Sequence, residues 1–329
     1  MRRSTRFGLV AAFAAAFAAA FAFPTSARAA EPDKLLPADA DTIVSVNVRQ
    51  VIDSDIVKKY AIEQIKQFLQ GNDAQGFLKE LGLDPLKDLD RVVIAGSGKD
   101  QATIKGLVII HGKFDAEKLY KAAEARTKTD PDKFSLVKEG KDVMFKLTQD
   151  AGNPVYGTVV DNNTIILGTD KKIITTALAA ANADKKPTVD KKLSGMLAKM
   201  DDKASVWVVA LVNGRLDNAK IPGGMNQNLQ GQLANMDSVS AVVRVTADVS
   251  IDVTMTMKDD ASADEMGKAI EDVLTQIKGF APLLAANDPK MKPLADAAKS
   301  LKSTTKNRDI SISAKIPGSA IGALLNMGQ

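Results

Sequence analysis

Residues 249–257 alternate apolar and polar side chains without a break, and this pattern limits the folds open to the chain. On a β-strand the two sets of side chains point to opposite faces. One face would be dry and the other wet, which antiparallel sheets allow and doubly wound parallel sheets do not. We therefore expect an α+β protein with a mainly antiparallel sheet and helices packed on one face. The apolar set is Val249, Ile251, Val253, Met255 and Met257, and the polar set is Ser250, Asp252, Thr254 and Thr256.

The rest of the chain indicates an internal duplication. Each half opens with an alternating strand, at residues 43–48 in the first half and at residues 205–211 in the second. Two further strands and an amphipathic helix follow in each half. The helix of the second half is predicted to begin with a capping box at Ser262 and to end near Lys278. We infer a duplicated strand–helix–strand–strand–helix–strand unit.

The same periodicity predicts the unit boundaries. The first unit covers residues 30–184, and the second covers residues 200–329. Residues 185–199 are predicted to form a linker, because this segment begins with polar residues around Pro187. A chain of this length is sufficient to bury two cores.

The N-terminus has the features of a secretory signal peptide. Three arginines precede an uncharged run rich in Ala and Phe at residues 7–23. Small side chains at the cleavage positions then predict cutting after Ala29. The alternative is an uncleaved membrane anchor, but the run is shorter than the roughly 20 residues that span a bilayer. We therefore expect residues 1–29 to be removed and the protein to be secreted or periplasmic.

The predicted signal also accounts for the net charge of the chain. Four of the 44 basic residues lie in residues 1–29, which carry no acid, and the remaining 40 equal the 40 acidic residues. A neutral mature chain without a basic cluster argues against a nucleic-acid partner. The chain has no Cys, which excludes disulfides, thiol nucleophiles and thiolate metal sites. We predict no cofactor, no metal site and no membrane span after removal of the signal.

His111 is the only imidazole in the chain, and it falls inside a predicted strand. A nucleophilic hydrolase needs a base within hydrogen-bond reach of a nucleophile and an acid that orients the base. Ser97 and Asp115 could supply these two groups, but no nucleophile-elbow pattern surrounds Ser97. The alternative interpretation of His111 is a structural strand residue, and the sequence favours it.

Three acidic stretches are candidates for carboxylate chemistry. None has the spacing of an EF-hand loop, and each is typical of turns or helix N-termini, where negative charge is favourable. A carboxylate pair for glycoside hydrolysis stays open, because the fold rather than the spacing sets such pairs. The stretches contain Asp39 and Asp41; Asp84, Asp88 and Asp90; and Asp259, Asp260, Asp264 and Glu265.

An apolar ligand would bind through surfaces that carry Met, because this side chain adapts its shape. Met225 and Met236 are the candidate ligand-binding residues, and the alternative is that they fill the core. Residues 213–235, which contain Met225, are rich in Asn, Gln and Gly. This segment is predicted either as a lid over a groove or as an ordinary connection.

Three short motifs resemble a group of exported bacterial proteins of unknown function. They are Leu36-Pro-Ala-Asp-Ala-Asp41 before a strand, Gly82-Leu-Asp-Pro85, and Leu89-Asp-Arg-Val92 before the next strand. The resemblance covers the first part of the predicted mature chain. It implies export and a duplicated α+β fold, and it implies no activity and no catalytic residues.

The sequence therefore favours an exported, non-enzymatic protein that serves as a binding or cell-envelope-associated module. Its partner would be an unidentified ligand or an envelope protein. The alternative is an exported hydrolase that uses carboxylates or a Ser97–His111 pair. The two hypotheses differ in geometry, because a hydrolase needs His111 or two carboxylates to line one cleft.

Overall fold

The computed structural model describes most of the chain beyond the predicted signal peptide. It divides into two compact units between Leu211 and Val212. The predicted signal peptide, Met225 and the rest of residues 215–231 lie outside the described residues. The structure describes residues 32–71, 76, 78–79, 82–98, 105–140, 142–148, 154–183, 189–212, 214, 232–288 and 291–327.

The larger unit, which precedes Val212, contains an antiparallel sheet. Its strands are β1 (Thr42–Val46), β2 (Leu89–Ser97), β3 (Lys105–Gly112), β4 (Phe134–Glu139), β5 (Asp142–Leu147), β6 (Val155–Asp161), β7 (Thr164–Gly168) and β8 (Val206–Leu211). They lie in the order β8-β1-β2-β3-β7-β6-β5-β4, and all neighbours pair antiparallel. Together with the helices, this confirms the predicted α+β class.

At the start of six of the seven helices described in this unit, a polar side chain accepts a hydrogen bond from a backbone N–H group that lacks a partner inside the helix. The Asp115 carboxylate accepts from the Lys118 N–H at 2.9 Å, and Asp170 accepts from the Ile173 N–H at the same distance. The helices are α1 (Val48–Asp53), α2 (Asp55–Tyr60), α3 (Ile62–Leu69), α4 (Pro85–Asp88), α5 (Ala116–Thr129), α6 (Lys171–Asn182) and α7 (Lys191–Leu197).

Helices contact both faces of the larger sheet. Helix α6 packs directly against Gly168 of β7. A Cβ at this position would clash with the side chains of Ile173 and Ile174 in the helix. Helix α5 contributes Leu119 to a cluster around Ile165. Ile165 and Gly168 point to opposite faces, since successive strand residues alternate. The larger unit thus departs from the predicted one-sided packing, because β7 is apolar on both of its faces.

The predicted linker at residues 185–199 contains helix α7. Leu193 is fully buried in this helix, and Leu197 is almost so. The segment therefore packs as part of the larger unit, and the structure places the division after Leu211 instead. The two leucines are one helical turn apart and therefore form an apolar stripe on one side of the helix. This stripe packs the helix into the core, although the residues before it are polar.

The smaller unit, which follows Leu211, contains a four-stranded antiparallel sheet and three helices among its described residues. The strands are β9 (Met236–Val245), β10 (Asp248–Met257), β11 (Lys302–Lys306) and β12 (Asp309–Pro317), and the helices are α8 (Asp260–Asn287), α9 (Lys292–Lys299) and α10 (Gly318–Met327). The strand order is β11-β12-β10-β9.

Strand β10 has the buried face that the alternating pattern of residues 249–257 predicts. Met257 is fully buried, and Met255 lies opposite Ile310 of β12 on the same face. Helix α8 covers this face with four buried side chains: Ala263, Met266, Ile270 and Leu274. Helix α8 begins two residues before Ser262, because the Asp259 carboxylate accepts from the Ser262 N–H at 2.7 Å.

The opposite face of the smaller sheet carries a partly buried ion pair. The Arg244 guanidinium donates to Asp252 Oδ2 at 2.5 Å. The other Asp252 carboxylate oxygen is buried and has no hydrogen-bond partner among the residues that the structure describes. Burial raises the pKa of Asp252, and the Arg244 charge only partly opposes this rise.

Parts of the predicted duplication can be compared between the two units. In the larger unit β2 and β3 precede helix α5, and in the smaller unit β9 and β10 precede helix α8. Five strands follow α5 within its unit, whereas two strands follow α8. The duplication therefore stays a prediction.

We expect Leu193→Ala to lower the free energy of unfolding by about 2–5 kcal/mol, because it leaves a cavity at a fully buried position. Urea unfolding monitored by circular dichroism measures this change. Lys191→Ala, on the exposed side of the same helix, is the matched control and should change little. Equal effects of the two substitutions would contradict the packing of helix α7.

We expect Asp252→Asn to stabilise the protein more at neutral pH than near pH 3.8. A folded-state pKa above the unfolded value means that this group's contribution to stability is lost as the pH rises through the folded pKa. Asp296→Asn should show the opposite trend, because Lys292 and Lys299 lower the pKa of Asp296 to about 2. Urea unfolding at the two pH values measures both, and matching trends would contradict the assignment.

Candidate functional site

The structure does not bring the predicted hydrolase residues together. His111 pairs with Arg91 across β3 and β2, whereas Ser97 pairs with Lys105 at the other end of the two strands. Six residues separate the two positions along β2, which is about 20 Å of extended chain. Asp115 caps helix α5. The Ser97–His111 pair of the alternative hypothesis is therefore not formed.

His111 contacts a different acid, which follows the predicted signal peptide closely. Its Nε2 lies 2.6 Å from Asp33 Oδ2, and both side chains are partly buried. Asp33 Oδ1 also accepts from the Leu35 N–H at 3.0 Å. Leu35 and Leu36 are buried. The Asp33–His111 contact thus holds residues 32–36 against the sheet.

An open groove of about 300 Å³ lies beside this contact. Val93, Trp207 and Leu36 supply its buried apolar lining, and the charged groups lie around them. Arg91 Nη1 lies 2.7 Å from the carboxylate of Asp202. The charges of this groove are therefore paired within the protein, and a charged ligand would have to displace those pairs.

The acidic stretches serve as caps and as partners in ion pairs. Asp84 accepts from the Leu86 N–H at 3.1 Å, and Asp88 accepts from the Asp84 N–H at 2.6 Å. A hydrogen bond from Lys87 holds the pKa of Asp84 below its ordinary value, although burial opposes this shift. Among the described residues, no group of three His, Cys, Asp or Glu side chains is arranged to hold a metal ion.

The predicted ligand-binding methionine that the structure describes lies in the core. Met236 is 5% exposed and packs with Met257 and Val212 in the smaller unit. Met225 lies outside the described residues. Met236 therefore offers no surface to a ligand, in keeping with the alternative given from the sequence.

A second groove, of about 420 Å³, lies between helices α8 and α9. No pattern in the sequence predicted it. Val273, Ile277 and Phe280 line one wall. Met291, Leu294 and Ala298 line the other wall. Gln276 is the one polar side chain among the lining residues. We call this feature the α8–α9 groove.

Three large apolar side chains beside the α8–α9 groove are exposed to solvent. The exposed fraction is 41% for Ile277, 63% for Phe280 and 59% for Leu283. Every side chain from Thr275 to Phe280 is exposed, so this part of helix α8 extends beyond the cover of the core. Large exposed apolar patches mark interaction sites on soluble proteins.

The geometry of the helix explains why these side chains stay uncovered. Each residue turns the helix by about 100°, so Leu283, Phe280 and Ile277 span a sector beside the one that faces the sheet. The sheet-facing sector holds Ile270 and Leu274, which are both buried. The apolar arc of helix α8 is thus wider than the arc that the sheet covers.

No helix among the described residues is both long enough and apolar enough to cross a membrane.

No family model matches the chain, and no curated protein matches it. Among solved structures, the chain is similar to the structure of crystal form I of TP0453, with a TM-score of 0.46 and 6% sequence identity. The alignment covers 93% of this chain and 99% of that chain. The resemblance to exported proteins of unknown function therefore stays a prediction.

We expect Asp33→Ala to lower the free energy of unfolding by about 1–3 kcal/mol, because it leaves His111 and the Leu35 N–H without their acceptor. Urea unfolding monitored by the fluorescence of Trp207, the only Trp in the chain, measures this change. Asp39→Ala is the matched control, since Asp39 is exposed and accepts a hydrogen bond of 3.3 Å from Ser97 at the surface. An equal loss in both variants would contradict the fastening role of Asp33.

Proposed function

We propose that this protein is a non-enzymatic binding module that takes a hydrocarbon partner in the α8–α9 groove. The observation that carries the proposal is the exposed trio of Ile277, Phe280 and Leu283 beside an apolar groove. Burying such side chains is favourable by about 25 cal/mol for each Å² of apolar surface removed from water. The partner therefore gains affinity mainly by covering this surface.

The lining of the groove determines what kind of partner it suits. A polar ligand needs convergent donors and acceptors that fix its orientation. The α8–α9 groove offers Gln276 alone for this purpose. A hydrocarbon chain needs no hydrogen bonds, so this lining does not penalise it.

The same proposal places the protein at the cell envelope. The predicted signal peptide directs export, and a partner with a hydrocarbon chain is available where membranes are. The neutral charge of the chain beyond the signal supports neither a nucleic-acid partner nor a polyanionic one. A Ser97–His111 hydrolase does not fit this structure, because the two residues lie at opposite ends of the β2–β3 pair.

We expect the neutral fluorescent probe N-phenylnaphthylamine to bind the protein with increased emission. Ile277→Ser combined with Leu294→Ser should weaken this binding by about tenfold, because the variant removes apolar surface from both walls. Fluorescence titration measures the affinity, and circular dichroism verifies that the variant is folded.

The matched control for this titration is Phe68→Ser. Phe68 lies on helix α3 of the larger unit and is 67% exposed, close to the value for Phe280. Its substitution should leave the affinity for the probe unchanged. Equal affinity of the groove variant and the unaltered protein would overturn the proposed function.

A further inference from the structure

The end of helix α8 combines exposed apolar side chains with an unusual distribution of charge. Residues 273–287 carry one charged side chain, Lys278, and no carboxylate. Lys278 lies about 100° around the helix from Ile277, on the wet side. We call Ile277, Phe280 and Leu283 the apolar tip of helix α8.

On the side of helix α9 the charges near the apolar tip are mostly basic, whereas Glu271 and Asp272 precede the tip on helix α8. Residues 273–299 hold four lysines and two aspartates. On helix α9, Lys292 and Lys299 both lie 2.7 Å from the carboxylate of Asp296. They and Lys278 are exposed, whereas the walls of the groove carry no charge. The surface is therefore apolar at its centre and carries exposed lysines at its margin toward helix α9.

This arrangement favours a lipid surface over a protein surface. A protein interface makes about one hydrogen bond for each 100–200 Å² of buried area, which Gln276 alone cannot supply along the groove. A helix that lies in the membrane interface buries Phe and Leu and presents Lys to anionic lipids. The apolar tip has both of these features.

We propose that the apolar tip of helix α8 inserts into the interfacial region of an anionic lipid bilayer. This inference rests on the proposed function and names the source of the hydrocarbon that the groove contacts. Phe280 and Leu283, the most exposed members of the tip, enter the acyl region. Lys278, Lys292 and Lys299 contact the anionic headgroups around them.

The test is cosedimentation of the whole protein with large unilamellar vesicles. One set contains equimolar phosphatidylglycerol and phosphatidylcholine, and the other contains phosphatidylcholine alone. The protein should bind the anionic set more tightly, and added salt should weaken that preference, because surface charges are screened. Absence of binding to both sets would overturn the inference.

The variant Ile277→Ser, Phe280→Ser, Leu283→Ser should weaken binding to the anionic vesicles by at least about tenfold. Lys278→Glu should weaken binding to the anionic vesicles and leave binding to neutral vesicles unchanged. Phe68→Ser, the matched exposed Phe of helix α3, should change neither. Unchanged vesicle binding by the folded triple variant would also overturn the inference.

Two outcomes separate this inference from the proposed function. If the protein binds N-phenylnaphthylamine in the groove but binds no vesicles, the bilayer inference fails and the proposed function stands. If it binds neither, both fail. A dimer in size-exclusion chromatography that the triple variant abolishes, without vesicle binding, would make a second copy the occupant and would overturn the inference.

Discussion

The close seating of helix α8 on its sheet is the contact on which the smaller unit depends. Ala263 is fully buried, and a Cβ at Gly267 would clash with the side chain of Thr305 in β11. Small residues at these positions let the helix approach the strands closely. The approach brings Met266 and Ile270 over Met257, and these side chains form the core. The first half of the helix packs on the sheet and so fixes the direction of the helix. The second half continues in that direction beyond the core, where Phe280 and Leu283 are exposed.

In the larger unit, the register in which the strands pair determines which side chains meet. Because β2 and β3 pair in one register, His111 is held opposite Arg91 and away from Ser97. Asp33, which precedes β1, is the acid that contacts His111 instead. Strand pairing thus separates Ser97 from His111, although both are available in the sequence for a catalytic site. No local motif predicts which residues of two strands lie opposite each other.

Local patterns in the sequence were sufficient to predict much of the fold. Strict alternation in residues 249–257 identified β10 and its buried face, and the capping box predicted at Ser262 located the start of helix α8 to within two residues. These features depend on neighbours along the chain, so periodicity and capping chemistry report them directly. The α+β class and the antiparallel pairing follow from the same patterns.

The features that were missed depend on contacts between distant parts of the chain. Helix α8 was expected to end near Lys278. The helix continues to Asn287 in the structure, and this continuation adds Phe280 and Leu283 to the exposed apolar surface that begins at Ile277. Helix α7 was likewise hidden in a polar segment, although the spacing of Leu193 and Leu197 was a usable signal.

The two grooves differ in what a ligand would cost to bind. The groove beside His111 is edged by ion pairs, and a ligand that separates a partly buried pair leaves one charge without its partner. The α8–α9 groove contains no charge among its lining residues, so covering it costs almost no desolvation of polar groups. Its apolar surface gains free energy from contact with any hydrocarbon, whatever the shape of that hydrocarbon. Selectivity must then come from the lysines around the groove, because charge is the one property of this surface that distinguishes one lipid from another.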